Sequence, residues 1–142
     1  MYLSKHFTLE ELTLSQTASR MGILNEVTPT VLDNLTYLAQ HLESIRTLLG
    51  TPIIISSGYR SPKVNAAVGG SKNSQHISGE AADFTSPVFG TPKQIVSKIL
   101  SSGIEYDQVI QEFDSWVHIS FRKSAMRKQA LVIDSKGTRL FV

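Results

Sequence analysis

The chain lacks cysteine and long apolar runs. None of its 142 residues is Cys, which excludes a disulfide framework, a thiolate zinc site, an iron–sulfur cluster and a thiol nucleophile. Any metal site must therefore use His, Asp and Glu, and the sequence contains only four His. No run of apolar residues is long enough to span a bilayer, so we expect no stable membrane insertion.

A strong net charge and a secretion signal are also missing. The net charge of +2 is too small to predict nucleic-acid binding. The N-terminus reads MYLSKHFTLEEL and has no signal-peptide pattern, which predicts synthesis in the cytoplasm. The charges are uneven: residues 1–121 carry 8 basic and 11 acidic side chains, whereas residues 122–142 carry 6 basic and 1 acidic.

The length and the order of local signals predict one α+β domain over residues 1–142. The clearest helix starts at Thr28-Pro29, an N-cap followed by proline, and its apolar residues recur at helical spacing until Gly50. Strand signals dominate the last third. We therefore expect N-terminal helices packed on a small, mainly antiparallel sheet.

The other elements are predicted from caps, breakers and apolar runs. The predicted helices run from Thr8 to about Gly22, from Ser61 to about Val68, and from Thr91 to Gly103. The predicted strands are residues 52–56, buried on both faces, then 81–84, 108–112 and 116–121, and a hairpin of 130–133 with 138–142.

Three residues are candidate metal ligands: His76, Asp83 and His118. Imidazole nitrogens and a carboxylate oxygen suit a divalent metal, and three protein ligands with a fourth position for water are usual in catalytic zinc sites. Gly79 predicts a turn that folds the following strand back toward His76. A histidine on a strand is more often an ordinary hydrogen-bonded group, so spacing alone leaves both interpretations open.

The motif around these residues resembles a known family. His-x-x-Gly-x-Ala-x-Asp at residues 76–83, followed by Trp-Val-His at 116–118, resembles the M15 group of zinc peptidases, the D-Ala-D-Ala carboxypeptidases and L-alanyl-D-glutamate endopeptidases of bacteria and phages. It is also similar to the zinc-containing signalling domain of hedgehog proteins. The segments at residues 56–62 and 7–12 are similar to those of compact phage-type members.

The resemblance implies a function and a cofactor. It implies one Zn²⁺ per chain on His76, Asp83 and His118, and hydrolysis of an amide bond in the peptide stem or cross-link of peptidoglycan. The expected protein is an endolysin-like cell-wall hydrolase, active as a monomer and reaching the wall after holin-mediated release. The alternative is a non-catalytic, zinc-containing cell-wall-binding or phage structural module of the same fold.

The catalytic base has two candidates. Many M15 enzymes place an acid three residues before the last histidine, where this chain has Ser115. Glu112 lies six residues before His118, as in hedgehog-type members, and is the preferred base; Asp114, four residues before, is the alternative. Asp114 also fits a simple turn at residues 113–115.

Several other residues are candidates for substrate contact. Arg60 resembles the family's substrate-binding arginine and offers a charged fork for a carboxylate or an oxyanion. Ser74 and Gln75 precede the first ligand and either bind substrate or brace the loop. Trp116 shares a strand face with His118 and either packs or contacts substrate.

The two other histidines and the basic tail are not assigned to the metal site. His6 and His41 are predicted not to be ligands. The basic residues of segment 122–142 suit either adsorption to an anionic cell wall or protection of an edge strand against aggregation, and the second is preferred.

Overall fold

The chain forms six helices and six strands in a computed structural model that describes all residues from 1 to 142. The sheet order is β1-β2-β4-β3-β5-β6, and only β3 and β5 pair in parallel. The predicted α+β class with a mainly antiparallel sheet is confirmed. In chain order the elements are α1 (Leu9–Thr13), α2 (Gln16–Met21), α3 (Pro29–Leu49), β1 (Ile54–Ser57), α4 (Pro62–Ala67), α5 (Gln75–Ser78), β2 (Ala81–Thr85), α6 (Pro92–Ser102), β3 (Gln108–Glu112), β4 (Trp116–Ser120), β5 (Gln129–Asp134) and β6 (Gly137–Leu140).

The long helix α3 begins and ends as predicted. The hydroxyl of Thr28 accepts a hydrogen bond from the backbone N–H of Val31 at 3.2 Å, and Gly50 ends the helix in the left-handed conformation. Its apolar face belongs to one hydrophobic core with α6 and one side of the sheet. The buried residues of this face are Val31, Leu35, Leu38, Ala39, Leu42, Ile45 and Leu49.

The central strands separate that core from a polar face. Val117 and Ile119 of β4 and Phe84 of β2 are fully buried members of the core. Because side chains alternate along a strand, their neighbours His118 and Asp83 lie on the opposite face. His118 therefore points away from the apolar face, as the alternation predicts.

Two local predictions are wrong. The strand predicted at residues 52–56 is not buried on both faces, because β1 is an edge strand and Ile54 is 56% exposed. The single helix predicted from Thr8 to Gly22 is two helices, because Ser15 caps a new one by accepting from the backbone N–H of Ala18.

The short helix α5 is an element that the sequence patterns do not predict. It is a single turn whose N-cap is Ser74. As for the membrane, none of the helices in the structure combines the length and the apolar character needed to cross one.

Candidate metal centre

The register of two central strands brings Asp83 and His118 together. β2 and β4 are antiparallel, with Asp83 directly opposite His118. Directly opposed residues in such a pair project from the same face, with Cβ atoms about 5 Å apart. Nδ1 of His118 lies 3.0 Å from Oδ1 of Asp83. Two residues that are far apart in sequence thus become neighbours.

His76 reaches the same point from helix α5. Gly79 ends this helix with a φ of +76° and leads directly into β2, so the predicted turn at Gly79 is confirmed. A Cβ at Gly79 would lie 3.1 Å from the side chain of Val31 and 3.2 Å from that of Leu35. Glycine therefore serves both the left-handed backbone and the close approach to α3.

The three candidate ligands converge on one point. Nε2 of His76 lies 3.3 Å from Oδ1 of Asp83, and one donor atom from each of His76, Asp83 and His118 lies within 4.8 Å of the others. The three residues are buried, with exposures of 3%, 6% and 8%. Two imidazole nitrogens and one carboxylate oxygen form a donor set that suits a zinc site with a fourth position open.

The backbone of Gly58 orients the His76 ring. Nδ1 of His76 lies 2.6 Å from the carbonyl oxygen of Gly58. Because a carbonyl oxygen only accepts, Nδ1 carries a proton, and Nε2 is the nitrogen left to face Asp83. A lone pair and a carboxylate oxygen at this separation repel each other unless a cation or a proton lies between them. The geometry therefore fits a bound cation.

The approach of Gly58 to α1 explains the glycine at that position. A Cβ there would lie 2.3 Å from the carbonyl oxygen of Leu12. The backbone N–H of the next residue, Tyr59, donates to the same oxygen at 2.8 Å. Any side chain at position 58 would push this segment away from α1 and move the carbonyl that holds His76.

Electrostatics at Asp83 also favour a cation. Burial by itself raises the pKa of this carboxyl, but hydrogen bonds and charges from His118 and His76 hold the pKa well below its ordinary value. The carboxylate therefore stays ionised at neutral pH. It supplies the negative charge that a buried divalent cation requires.

Glu112 stands beside the donor set on β3. Its Oε1 lies 3.9 Å from Nδ1 of His118, and its Oε2 accepts a hydrogen bond from Nε1 of Trp116 at 3.0 Å. Burial and the charge of Asp83 raise the pKa of Glu112 above its ordinary value. Trp116 therefore orients a carboxyl group, a role that the sequence does not indicate.

Asp114 lies outside the cavity of the donor set. It is exposed in the turn between β3 and β4, has a φ of 49°, and accepts a hydrogen bond from Nε2 of Gln111 at 3.2 Å. The predicted turn at residues 113–115 is confirmed. Of the two carboxylates considered as the base, only Glu112 lines the cavity of the donor set.

Arg60 supports Asp83 from the other side. Its Nε donates to the hydroxyl of Ser57 at 3.2 Å and its Nη1 donates to Oδ1 of Asn65 at 3.1 Å. Its Nη2 lies 3.6 Å from Oδ2 of Asp83. Every nitrogen of this guanidinium therefore has a protein partner, and one partner is a candidate ligand.

Ser74 and Gln75 brace the first ligand. The hydroxyl of Ser74 accepts from the backbone N–H of His76 at 3.2 Å and caps α5. Nε2 of Gln75 donates to Oδ2 of Asp107 at 3.0 Å. Both residues also line the cavity.

Asp107 and Arg127 belong to the site although no sequence pattern indicates them. Asp107 is fully buried and accepts from Nη2 of Arg127 at 2.6 Å and from its Nε at 3.1 Å. Arg127 lines the same cavity as the donor set. No sequence signal distinguishes it from the other basic residues of the tail, because it meets Asp107 only when β5 pairs with β3.

The other two histidines lie outside the donor set, as predicted. Nδ1 of His6 lies 2.6 Å from Oε1 of Glu43. Nδ1 of His41 lies 2.9 Å from the carbonyl oxygen of Tyr37 within α3. The one group of histidine and acidic side chains placed to hold a metal is the His-Asp-His set.

The donor set opens into a cavity of about 540 Å³ whose wall includes Arg60, Glu112 and Arg127. Comparison with family models finds a match to Peptidase M15 over residues 5–120. No curated protein matches the chain. The matched range contains the donor set and Glu112, and the hairpin of β5 and β6 lies outside it.

Proposed function

This chain belongs to the peptidase M15 family, and on that premise we propose that it is a zinc metallopeptidase that hydrolyses an amide bond in the peptide stem or cross-link of bacterial peptidoglycan. The observation that carries the proposal is the buried donor set of His76, Asp83 and His118 with Glu112 beside it on the wall of a cavity. Such a donor set suits zinc and leaves a position open for water or substrate.

The donor residues would hold one zinc ion per chain. Bound there, zinc supplies the Lewis acidity that activates a water molecule and polarises the scissile carbonyl. Gly58 selects the His76 tautomer, and Arg60 faces the second oxygen of Asp83. These outer contacts keep the ligands in the orientation that metal binding needs.

Glu112 acts as the general base and then as the general acid. It takes a proton from the attacking water as the carbon–oxygen bond forms. It returns a proton to the leaving nitrogen as the carbon–nitrogen bond breaks, so the products are a carboxylic acid and an amine. The raised pKa of Glu112 suits a group that must hold a proton between these steps.

Arg60 contributes a permanent positive charge near the carbonyl under attack. Its guanidinium lines the cavity and lies against Asp83. A fixed cation in this position favours the oxyanion that develops during attack. Ser74 and Gln75 line the same cavity and Trp116 holds Glu112, and we assign these three residues to shaping the substrate site.

The substrate class also suggests where the protein acts. We propose that it works at the cell wall as an endolysin-like hydrolase, after holin-mediated release from the cytoplasm. It acts as a monomer in this scheme, since one chain supplies the entire donor set, the base and the arginines.

Digestion of purified peptidoglycan with zinc-loaded protein tests the proposal. Zinc content is measured first, and the released fragments are then identified by mass spectrometry. We expect near-stoichiometric zinc and new amino groups in the digest. Loss of terminal D-alanine identifies a carboxypeptidase, whereas new amino termini at D-glutamate identify an endopeptidase.

The Glu112→Gln variant is the matched control for that digest, because it keeps the donor set and removes the base. A folded, zinc-loaded wild type that binds wall fragments but releases nothing overturns the proposal. That result would favour the non-catalytic wall-binding module. Failure to bind zinc after reconstitution would overturn it as well.

A further inference from the structure

One wall of the cavity comes from the segment that follows the family match. Residues 121–128 connect β4 to β5, and Arg127 in this segment lines the cavity together with the donor set and Glu112. The match to the family ends at residue 120. The cavity therefore contains a charged group from a part of the chain that the family model does not describe.

Arg127 is held at three points by one buried carboxylate. Its backbone N–H donates to Oδ1 of Asp107 at 2.9 Å, its Nε donates to the same oxygen at 3.1 Å, and its Nη2 donates to Oδ2 at 2.6 Å. The next residue, Lys128, has a φ of 54°, which is uncommon for a residue with a side chain. The fold thus fixes both the backbone and the side chain of Arg127.

The contacts of Arg127 leave one end of the guanidinium free. Nη2 also donates to Oε1 of Gln75 at 3.4 Å, next to His76 in the chain. None of the protein's hydrogen bonds uses Nη1 of Arg127. Its side chain is 47% exposed, compared with 18% for Arg60, whose three nitrogens all have protein partners.

This difference assigns the two arginines to different tasks. Each terminal nitrogen of a guanidinium carries two N–H donors. The two N–H donors that are free on Nη1 of Arg127 suit one or both oxygens of a carboxylate. Because Asp107 already orients Arg127, little side-chain entropy is lost when a ligand binds. Arg60 offers less to a ligand, because its one nitrogen without a hydrogen bond, Nη2, lies 3.6 Å from Oδ2 of Asp83 and its side chain is only 18% exposed.

We propose that Arg127 binds a free carboxylate of the substrate and makes the enzyme select for it. The inference rests on the proposed function and deepens it. In a peptidoglycan stem with lysine as its third residue, two carboxylates qualify: the terminal carboxylate of D-alanine and the α-carboxylate of the D-glutamyl residue. Arg127 is a specificity residue in this scheme, and the donor set and Glu112 carry the chemistry.

The test uses four synthetic stem peptides, with each carboxylate either free or converted to the amide. They are cleaved by zinc-loaded wild type, Arg127→Gln and Arg122→Gln. Arg122 is the matched control, because its Nη1 lies 3.7 Å from Oδ1 of Asp107 and the residue does not line the cavity. Melting temperatures are recorded for all three proteins.

We expect the wild type to prefer one free acid over its amide by about tenfold to a hundredfold in kcat/KM, the range of a charge-assisted hydrogen bond. Arg127→Gln should lower this ratio toward one through KM, and Arg122→Gln should keep it. The position at which amidation matters identifies the carboxylate. Arg127→Lys should recover part of the ratio, since it keeps the charge but not the fork.

An acid-to-amide ratio that stays the same in Arg127→Gln overturns the inference while the proposed function stands. An equal fall of the acid-to-amide ratio in Arg122→Gln also overturns the inference, since that result indicates a general effect of charge. If the wild type cleaves no peptide, the proposed function fails. The inference is then tested by calorimetry, as the ratio of the affinities of wild type and of Arg127→Gln for the acid and amide forms of the same four peptides.

Discussion

The central strands and the C-terminal hairpin border the same cavity but are held in different ways. The first four residues of β2 are buried, whereas all four residues of β6 are exposed. Asp83 and His118 are positioned by strand register next to the core. The hairpin supplies no metal donor, and Arg127 just before it is positioned by a single buried carboxylate.

The difference shows how the two tasks of a hydrolase are distributed. Groups that hold a metal must keep their mutual distances, so they sit where movement would disrupt the core. A group that selects substrate can come from a peripheral connection, because that connection changes at little cost to the core. Substitutions placed in one region or the other test this division of tasks.

The largest effect is expected from loss of a ligand on the central strands. His118→Ala removes one of three donors, so we expect a loss of zinc affinity of more than about 100-fold and activity at background. His6→Gln is the control, because His6 pairs with Glu43 outside the site. Zinc content and peptide release are measured for both variants. Equal zinc loss in the two would break the assignment of the centre.

The next effect concerns the base beside the centre. Glu112→Gln should lower kcat by about 100-fold to 10,000-fold with zinc retained, the usual contribution of general acid–base catalysis. Asp114→Asn, in the exposed turn, should change kcat by less than about twofold. Single-turnover kinetics on zinc-loaded proteins distinguish them. The reverse order would transfer the role of base to Asp114.

A pair of core and edge truncations compares the stability of the two regions. Ile119→Ala in β4 opens a cavity in the core, because Ile119 is fully buried, and should destabilise the protein by about 2–5 kcal/mol. Leu140→Ala in β6 should cost less than about 0.5 kcal/mol, since Leu140 is 69% exposed. Urea unfolding measures both. Similar losses would show that the hairpin is part of the same rigid unit.

The smallest effect depends on pH. Burial raises the pKa of Asp107, but hydrogen bonds from Arg127 and Gln75 bring the pKa down to about 2. An unfolded Asp titrates near pH 4, so the stabilisation is complete above about pH 4 and is lost as the pH falls toward 2. Asp107→Asn should cost about 2 kcal/mol at pH 7, the scale of a hydrogen bond to a charged group.

The matched control for that pH effect is Asp134→Asn. Asp134 pairs with Arg139 in the hairpin, where both side chains are accessible to solvent and water screens the pair. Urea unfolding from pH 7 to pH 2 should show that the difference between wild type and Asp107→Asn closes with falling pH. A constant difference across that range would contradict the assignment to Asp107.

Much of the fold follows from local chemistry and could be predicted. Thr28 and Thr91 cap helices that begin at the following proline, and Gly50 and Gly103 end them, because these signals act within a few residues. The edge position of β1 could not be predicted. A short β-branched run looks the same in a central strand and at an edge, and only the strand order distinguishes them.

The sequence by itself determined which atoms are available to a metal and where the chain turns. With no cysteine, the donors had to be nitrogen and oxygen, and Gly79 marked the turn between His76 and Asp83. The tertiary structure decided what those atoms face. The carbonyl of Gly58 on His76 and the parallel pairing that delivers Arg127 to Asp107 arise from contacts between distant segments. Such contacts depend on strand order and register, which no local pattern specifies.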